Sequence, residues 1–338
     1  MLNYSSAEGS NPNPKFSNLD ESCLINTING NKVAVRFRKR IEKDPAFEEK
    51  FLVVFPGLRA LFQELNTKIE RDSEAFEQVR DKFSEEDIDF ILIKSDGSFP
   101  YESDNIDVLI RPEKLRDVAQ LLKKAGYSEI IQIREPHKFL FRKKDAFEEL
   151  PIHIHTRVEW EGTQFVDSDD LFNRRQTSES NGGFSVPSPE DCILITTAHF
   201  FFENHEIKLA DLLKMESCIR ANSIDWSYTN DHAKKLHWSD AFALSMLLAN
   251  KVCNDLYGRS LLHQKVIAEM MQASHGHINL FQRVLQANGS KPIPFKIPYT
   301  FGAFFLLQRI AQDSSILPTG RLSHMSWIAS DIARRRVR

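Results

Sequence analysis

The stretch Ile88-Asp-Phe-Ile-Leu-Ile-Lys-Ser-Asp-Gly-Ser-Phe-Pro-Tyr-Glu-Ser-Asp-Asn-Ile-Asp-Val-Leu-Ile110 decides how the chain is read. An apolar run, Ile88 to Ile93, gives way to a polar loop with Gly97 and Pro100, then to a second apolar run, Ile106 to Ile110, that carries Asp107. Two short β-rich runs separated by Gly and Pro predict neighbouring strands. Side chains alternate along a strand, so Asn105 and Asp107 leave one face of the sheet and Ile106 and Val108 the other. An Asp within an apolar strand is costly to bury without compensation, and a metal ion is one compensating partner. The bland alternative places it at the exposed end of the strand, capping a loop.

Downstream, Pro112 suits a first helical position, and Leu115, Val118, Ala119, Leu122 and Ala125 form an apolar stripe that ends at Gly126. Tyr127 to Ile133 and Lys138 to Phe141 read as two more strands about the turn at Glu135-Pro136. Leu150 to Trp160 reads as a further β run in which His153 and His155 share a face with Arg157. A His-x-His pair on a strand has the spacing for two ligands to one ion, and it suits a hydrogen-bonded structural pair equally well.

Ile93-Lys94 and Asn105-Ile106-Asp107-Val108-Leu109-Ile110 resemble the core of the nucleotidyltransferase superfamily, and most closely its uncharacterised bacterial and archaeal nucleotidyltransferase-like members. There one strand ends in a Gly-Ser turn, the next offers Asp-x-Asp to magnesium, and a later carboxylate-Ile/Leu-His strand completes the metal triad. The resemblance implies an α/β fold, a small mixed β-sheet of the nucleotidyltransferase type with flanking helices, and the helical spacing of apolar residues downstream adds an all-helical C-terminal domain. It implies metal-dependent transfer of a nucleotidyl group from a nucleoside triphosphate to a hydroxyl of an acceptor that it does not identify. Asp107 takes the place of a metal ligand; Asn105 and His153 stand at the two other carboxylate positions as auxiliary catalytic and metal-binding residues, and His155 keeps the family's His as a further ligand. Lys94, Gly97 and Ser98 are implied as nucleotide and phosphate contacts, joined by Arg142 from the basic run Arg134 to Lys144, which would steer an anionic substrate.

An amide and an imidazole in place of two carboxylates remove two negative charges, which weakens magnesium, an ion of oxygen ligands. Imidazole suits manganese, iron or zinc. The cofactor expected is therefore a divalent metal, Mg or Mn, with Zn admitted by the histidines. A competing reading is a catalytically degenerate nucleotidyltransferase fold that serves as a nucleotide-binding or regulatory module.

The rest of the chain frames this core. Residues 1–30, rich in Ser, Asn, Gly and Pro, predict a disordered tail. Residues 31–86 predict helices, with Leu58, Phe62, Leu65 and Ile69 at helical spacing. The α/β domain takes 87–186, and a helical domain takes 187–338 after a capping start at Ser188-Pro189-Glu190-Asp191. Within it His199 and Glu203 lie one turn apart, as a base with its orienter or as an ordinary helix-surface pair. Asp211 falls on an otherwise apolar helical face, and Arg334-Arg335-Arg336 reads as a solvated tail.

With 338 residues, 41% hydrophobic and 27% charged, the composition is that of a globular protein. A net charge of −3 argues against a dedicated nucleic-acid binder, although local basic patches leave room for one. Four widely spaced cysteines without a Cys-x-x-Cys pair predict reduced thiols. No apolar run approaches the roughly 20 residues of a membrane span, and Met1 to Ser22 lacks a signal-peptide pattern, so the expected location is the cytoplasm.

Overall fold

The structure, a computed structural model, describes residues 19–94, 104–130, 137–143, 151–160, 163–178, 184–274, 277–288 and 293–312. Four helices open the chain: α1 (Glu21–Gly30), α2 (Ala34–Ile41), α3 (Pro45–Val54) and α4 (Pro56–Glu85). The presence of α1 corrects the tail expected over residues 1–30, of which 1–18 lie outside the described residues. Asp20 caps α1 by accepting from Cys23 N (2.7 Å), and Ile28 is buried on its inner face. Asp44 caps α3 in the same way, with Pro45 in its first turn.

The 30-residue α4 is about 45 Å long at 1.5 Å per residue, and it serves two cores. Leu58, Phe62 and Leu65 pack among the N-terminal helices, whereas Val79 and Phe83 pack on the sheet. Ile69, expected on the apolar stripe, falls between the two cores and is 37% exposed.

The sheet has the order β1-β2-β5-β4-β3, built from β1 (Phe90–Leu92), β2 (Ile106–Ile110), β3 (Tyr127–Ile130), β4 (Lys138–Lys143) and β5 (Ile152–His155). Only β2 and β5 pair in parallel, which makes the sheet mixed, as expected. Helix α5 (Leu115–Lys124) follows a short 3-10 turn at Pro112–Lys114 and ends before Gly126, whose φ of +90° favours a residue without Cβ. It covers one sheet face together with α4, burying Leu92, Val108, Ile110, Ile152 and Ile154.

The other face, carrying Ile91, Ile93 and Leu109, packs on the helical remainder. The run expected as one strand from Leu150 to Trp160 turns at Thr156-Arg157. Its second part is β6 (Val158–Trp160), which pairs instead with β7 (Thr163–Val166). Arg157 is consequently exposed in the turn and does not share the face of His153 and His155.

After α6 (Ser168–Arg174) and the hairpin β8 (Gln176–Ser178) with β9 (Phe184–Val186) comes α7 (Pro189–Ala198), capped by Ser188 as its sequence predicts. It runs into a π-helical turn, His199–Asn204, that ends at His205 in a left-handed conformation (φ 52°). Then follow β10 (Glu206–Ile207), α8 (Leu209–Ala221), α9 (Trp226–Lys235), α10 (Ser239–Tyr257), α11 (Gln264–Ala273), α12 (Ile278–Asn288), β11 (Phe295–Lys296) and α13 (Tyr299–Gln312). At Gly302 in α13 a Cβ would meet His205 Cε1 at 3.0 Å and the Phe201 carbonyl at 3.3 Å, so a larger residue there would push α13 and the π turn apart by a few tenths of an ångström.

The helix expected over 322–337 and the Arg334-Arg335-Arg336 run lie outside the described residues. All four cysteines are free, and no helix among the described residues is long and apolar enough to cross a membrane.

Candidate active site

The parallel pairing of β2 with β5 sets Asp107 directly beside His153 and Leu109 beside His155, so both imidazoles leave the sheet on the face of Asp107. The antiparallel pairing of β4 with β5 places Lys138 beside His155 on that same face. Asp107 is 1% exposed. Its Oδ1 accepts from His155 Nε2 at 2.8 Å and lies 3.2 Å from Lys94 Nζ and 3.5 Å from His153 Nδ1. Asn105, just ahead of β2, donates its Nδ2 to His153 Nδ1 at 2.6 Å. Asn105, Asp107 and His153 thus converge as the strand alternation predicted.

Burial alone would raise the Asp107 carboxyl, but Lys94 and the two imidazoles overcome it and hold Asp107 well below the ordinary carboxylate range. Burial brings His155 down to about 4 against the pull of Asp107, which leaves it a neutral imidazole at pH 7. Lys94 is raised, because Asp107 and Glu203 outweigh its desolvation.

Glu203, supplied by the π turn, is the second centre of charge. Its Oε2 lies 3.3 Å from Lys94 and 3.2 Å from His199 Nε2 and accepts from Trp160 Nε1, while Oε1 lies 3.2 Å from Lys138. Burial raises Glu203, but Lys94, His199 and Lys138 together push its pKa far below the usual value. The wider turn matters here, because an inserted residue redirects side chains from an otherwise regular helix. It joins three sheet-side donors, on β4, β6 and the end of β1, to the helical body.

A cleft of about 200 Å³ opens over these groups. Four lysines line it: Lys94, Lys32 from the link between α1 and α2, Lys208 ahead of α8, and Lys214 within α8. Lys32 pairs with Asp104, Lys208 with Glu206 (3.1 Å), and Lys214 donates to the Lys94 carbonyl (3.2 Å). Asn31 ties the N-terminal helices to this wall, since its side chain and carbonyl accept from Leu209 N and Ala210 N at 3.1 and 3.2 Å. Asp211, expected only as an acid on an apolar face, caps α8 by accepting from Lys208 N at 2.9 Å, and burial pushes its pKa up to about 6.

The remaining sequence candidates fall differently. Gly97, Ser98, Arg134 and Lys144 lie outside the described residues. Arg142 shares the face of Lys138 but stands four residues further along β4, roughly 13 Å away at 3.3 Å per residue, and is not brought to Asp107. Lys94, implied as a phosphate contact, is engaged by two carboxylates. Lys138 appeared in the sequence only as one member of a basic run, and Trp160, Lys32, Lys208 and Lys214 carried no local signal.

The donor set decides which ion would fit. Among the described residues Asp107, His153 and His155 offer one carboxylate oxygen and two imidazole nitrogens, all within 4.8 Å of one another. Two nitrogens to one oxygen suit Mn, Fe or Zn and suit Mg poorly. The ammonium of Lys94, 3.2 Å from the same Asp107 oxygen, lowers the affinity of the set for any cation.

His199 gives a pH test. Burial draws it down to about 3, with Glu203 opposing. The unfolded chain, with an ordinary His near 6.5, therefore binds an extra proton between pH 6.5 and about 3. Its contribution is complete above pH 6.5 and fades as the pH falls through that window. From pH 7 to 5 the wild type should lose about 1–2 kcal/mol more stability than His199→Gln. Urea unfolding of both at the two pH values checks this, and parallel losses would contradict it.

Comparison with known proteins gives three findings. Residues 102–254 match a family described as an uncharacterised nucleotidyltransferase. Among solved structures, one match is the lincomycin-bound lincosamide antibiotic adenylyltransferase LnuA, at 15% identity and TM-score 0.34 over 44% of this chain and 97% of that one. Another is the antibiotic-resistance factor ANT(2'')-Ia, at 9% identity and TM-score 0.31 over 64% of this chain and 97% of that one. Curated proteins give no match.

Proposed function

We propose, from the match of residues 102–254 to an uncharacterised nucleotidyltransferase family, that the chain transfers a nucleotidyl group from a nucleoside triphosphate to a hydroxyl of a small acceptor in the cleft over Asp107. The observation that carries this reading is the pairing of β2 with β5, which gathers Asp107, His153 and His155, all within the matched region, beside a cleft lined by four lysines.

The acceptor oxygen attacks the α-phosphorus as its proton passes to solvent water, the bond to the bridging oxygen breaks, and pyrophosphate leaves. Asp107, His153 and His155 would hold a divalent ion, which when bound supplies Lewis-acid polarisation of the phosphoryl oxygens and lowers the pKa of the acceptor hydroxyl. Asn105 holds His153 through its 2.6 Å hydrogen bond to Nδ1, a bond that an ion bound at that nitrogen would displace. Lys94, Lys32, Lys208 and Lys214 line this cleft and would offer positive charge to triphosphate oxygens bound in it. A base works best when its pKa lies near the operating pH. His199 near 3 and Glu203 lower still are poorly matched, so we assign Glu203 to holding Lys94 and Lys138 in place and neutral His199 to orienting Glu203, rather than either to proton abstraction.

Two imidazoles and one carboxylate favour Mn or Zn over Mg. Calorimetry should show Mn or Zn binding more tightly than Mg. The double change Asn105→Asp with His153→Asp, which puts carboxylates at both altered positions, should reverse that order. Tight Mg binding by the wild type with no gain in the double variant would remove this metal assignment. Nucleotide binding without transfer to any acceptor would favour the regulatory module instead.

A further inference from the structure

Lys94 stands between two carboxylates that belong to different parts of the molecule. Its Nζ lies 3.2 Å from Asp107 Oδ1 on the sheet and 3.3 Å from Glu203 Oε2 on the π turn, with its side chain 10% exposed. The Asp107 oxygen it faces is the one that His155 Nε2 reaches at 2.8 Å and His153 Nδ1 approaches at 3.5 Å, so the ammonium and the ion-binding set converge on a single atom. A divalent ion and an ammonium on one buried oxygen are like charges in a weakly screened place, and sharing it is costly.

Glu203 can receive what Asp107 gives up. Trp160 Nε1–H donates to Glu203 Oε2, and His199 Nε2 stands 3.2 Å from the same oxygen, which fixes the carboxylate. Lys138 lies on the other oxygen, Oε1, at 3.2 Å and leaves Oε2 to Lys94. The Lys94 ammonium is also 5.9 Å from the centre of the Trp160 ring, whose face attracts a cation. A flexible four-carbon stem lets an ammonium move between neighbouring partners without a change of backbone.

We propose that Lys94 is the resident cation of the Asp107 site, moving wholly onto Glu203 when a divalent ion binds, and that Glu203 is a positioning residue that sets ion affinity through Lys94 without touching the ion. The inference rests on the reading of Asp107, His153 and His155 as an ion set, and it requires neither nucleotide nor acceptor.

Calorimetric titration of the full chain with Mn alone tests it. Lys94→Met should tighten Mn binding about tenfold or more, as expected from removing one adjacent charge in a partly screened site. Lys94→Gln, which loses the charge but keeps a donor between the two carboxylates, should tighten it as well and covers the case in which methionine disturbs the fold. Glu203→Gln should weaken Mn binding about tenfold, because Lys94 then stays on Asp107. In the Lys94→Met background the same Glu203→Gln change should weaken it by no more than about threefold, the remainder being the direct field of the lost charge on the ion. A Glu203 that served the fold alone would show no such dependence on Lys94. Mn affinity unmoved by both Lys94→Met and Lys94→Gln, or an equal loss from Glu203→Gln with and without Lys94, would overturn the proposal while leaving the ion set in place. No heat from Mn with any of these proteins at millimolar concentration would remove the ion set itself, and this inference with it.

Discussion

Replacing Asp107 by Ala should abolish nucleotidyl transfer, with a fall in kcat/KM of about a thousandfold or more, because one side chain is both the carboxylate of the ion-binding set and the anchor of Lys94. The same change should remove high-affinity Mn or Zn binding, which calorimetry reads without any acceptor. Asp107→Asn separates the two duties. It keeps an oxygen for His155 Nε2 and Lys94 but loses the charge, so it should retain the fold and still lose the ion. Wild-type transfer that persists unchanged in Asp107→Ala would take the active site away from this cleft altogether.

The second large effect is on stability. Lys94 and Lys138 have side chains 10% exposed, and both donate to Glu203. Removing one partner of a buried ion pair leaves the other charge desolvated without its counterion, a loss of roughly 3–5 kcal/mol in closed interiors. Lys94 keeps Asp107 at 3.2 Å and Glu203 keeps 27% of its side-chain surface in the cleft, so part of this is compensated or screened, and Glu203→Ala should cost about 1–3 kcal/mol. Glu203→Gln keeps the shape and an acceptor for Trp160 but not the charge, and should fall between. Denaturant unfolding of the three proteins measures this order. A Glu203→Ala variant as stable as the wild type would mean that the lysines find water or another carboxylate at no cost, and the π turn would lose its role as the tie between sheet and helices.

These two residues also mark how far the sequence reads. The 88–110 stretch by itself determined two adjacent strands and the face of Asp107, because the period of two along a strand is a local property. Val118 and Leu122 determined α5 and its buried stripe for a similar reason. Ser188 and Pro189 determined the start of α7, since a cap needs only residues within one turn. The pairing of Ile106-x-Val108 with Ile152-x-Ile154 was legible only through the resemblance, because strand order is a matter of partners far apart in the chain.

Tertiary structure alone decided the rest. It ended the Leu150 to Trp160 run at Thr156 and turned Arg157 outward, since β6 finds its partner in β7. It ordered α1, whose few apolar residues do not offset the entropy of ordering until Ile28 meets the core of α2 to α4. Above all it brought Lys138, Trp160 and Lys94 onto Glu203, and Lys32, Lys208 and Lys214 onto one cleft. The energy of an ion pair depends on distance and desolvation, neither of which is written in the spacing of charged residues along the chain.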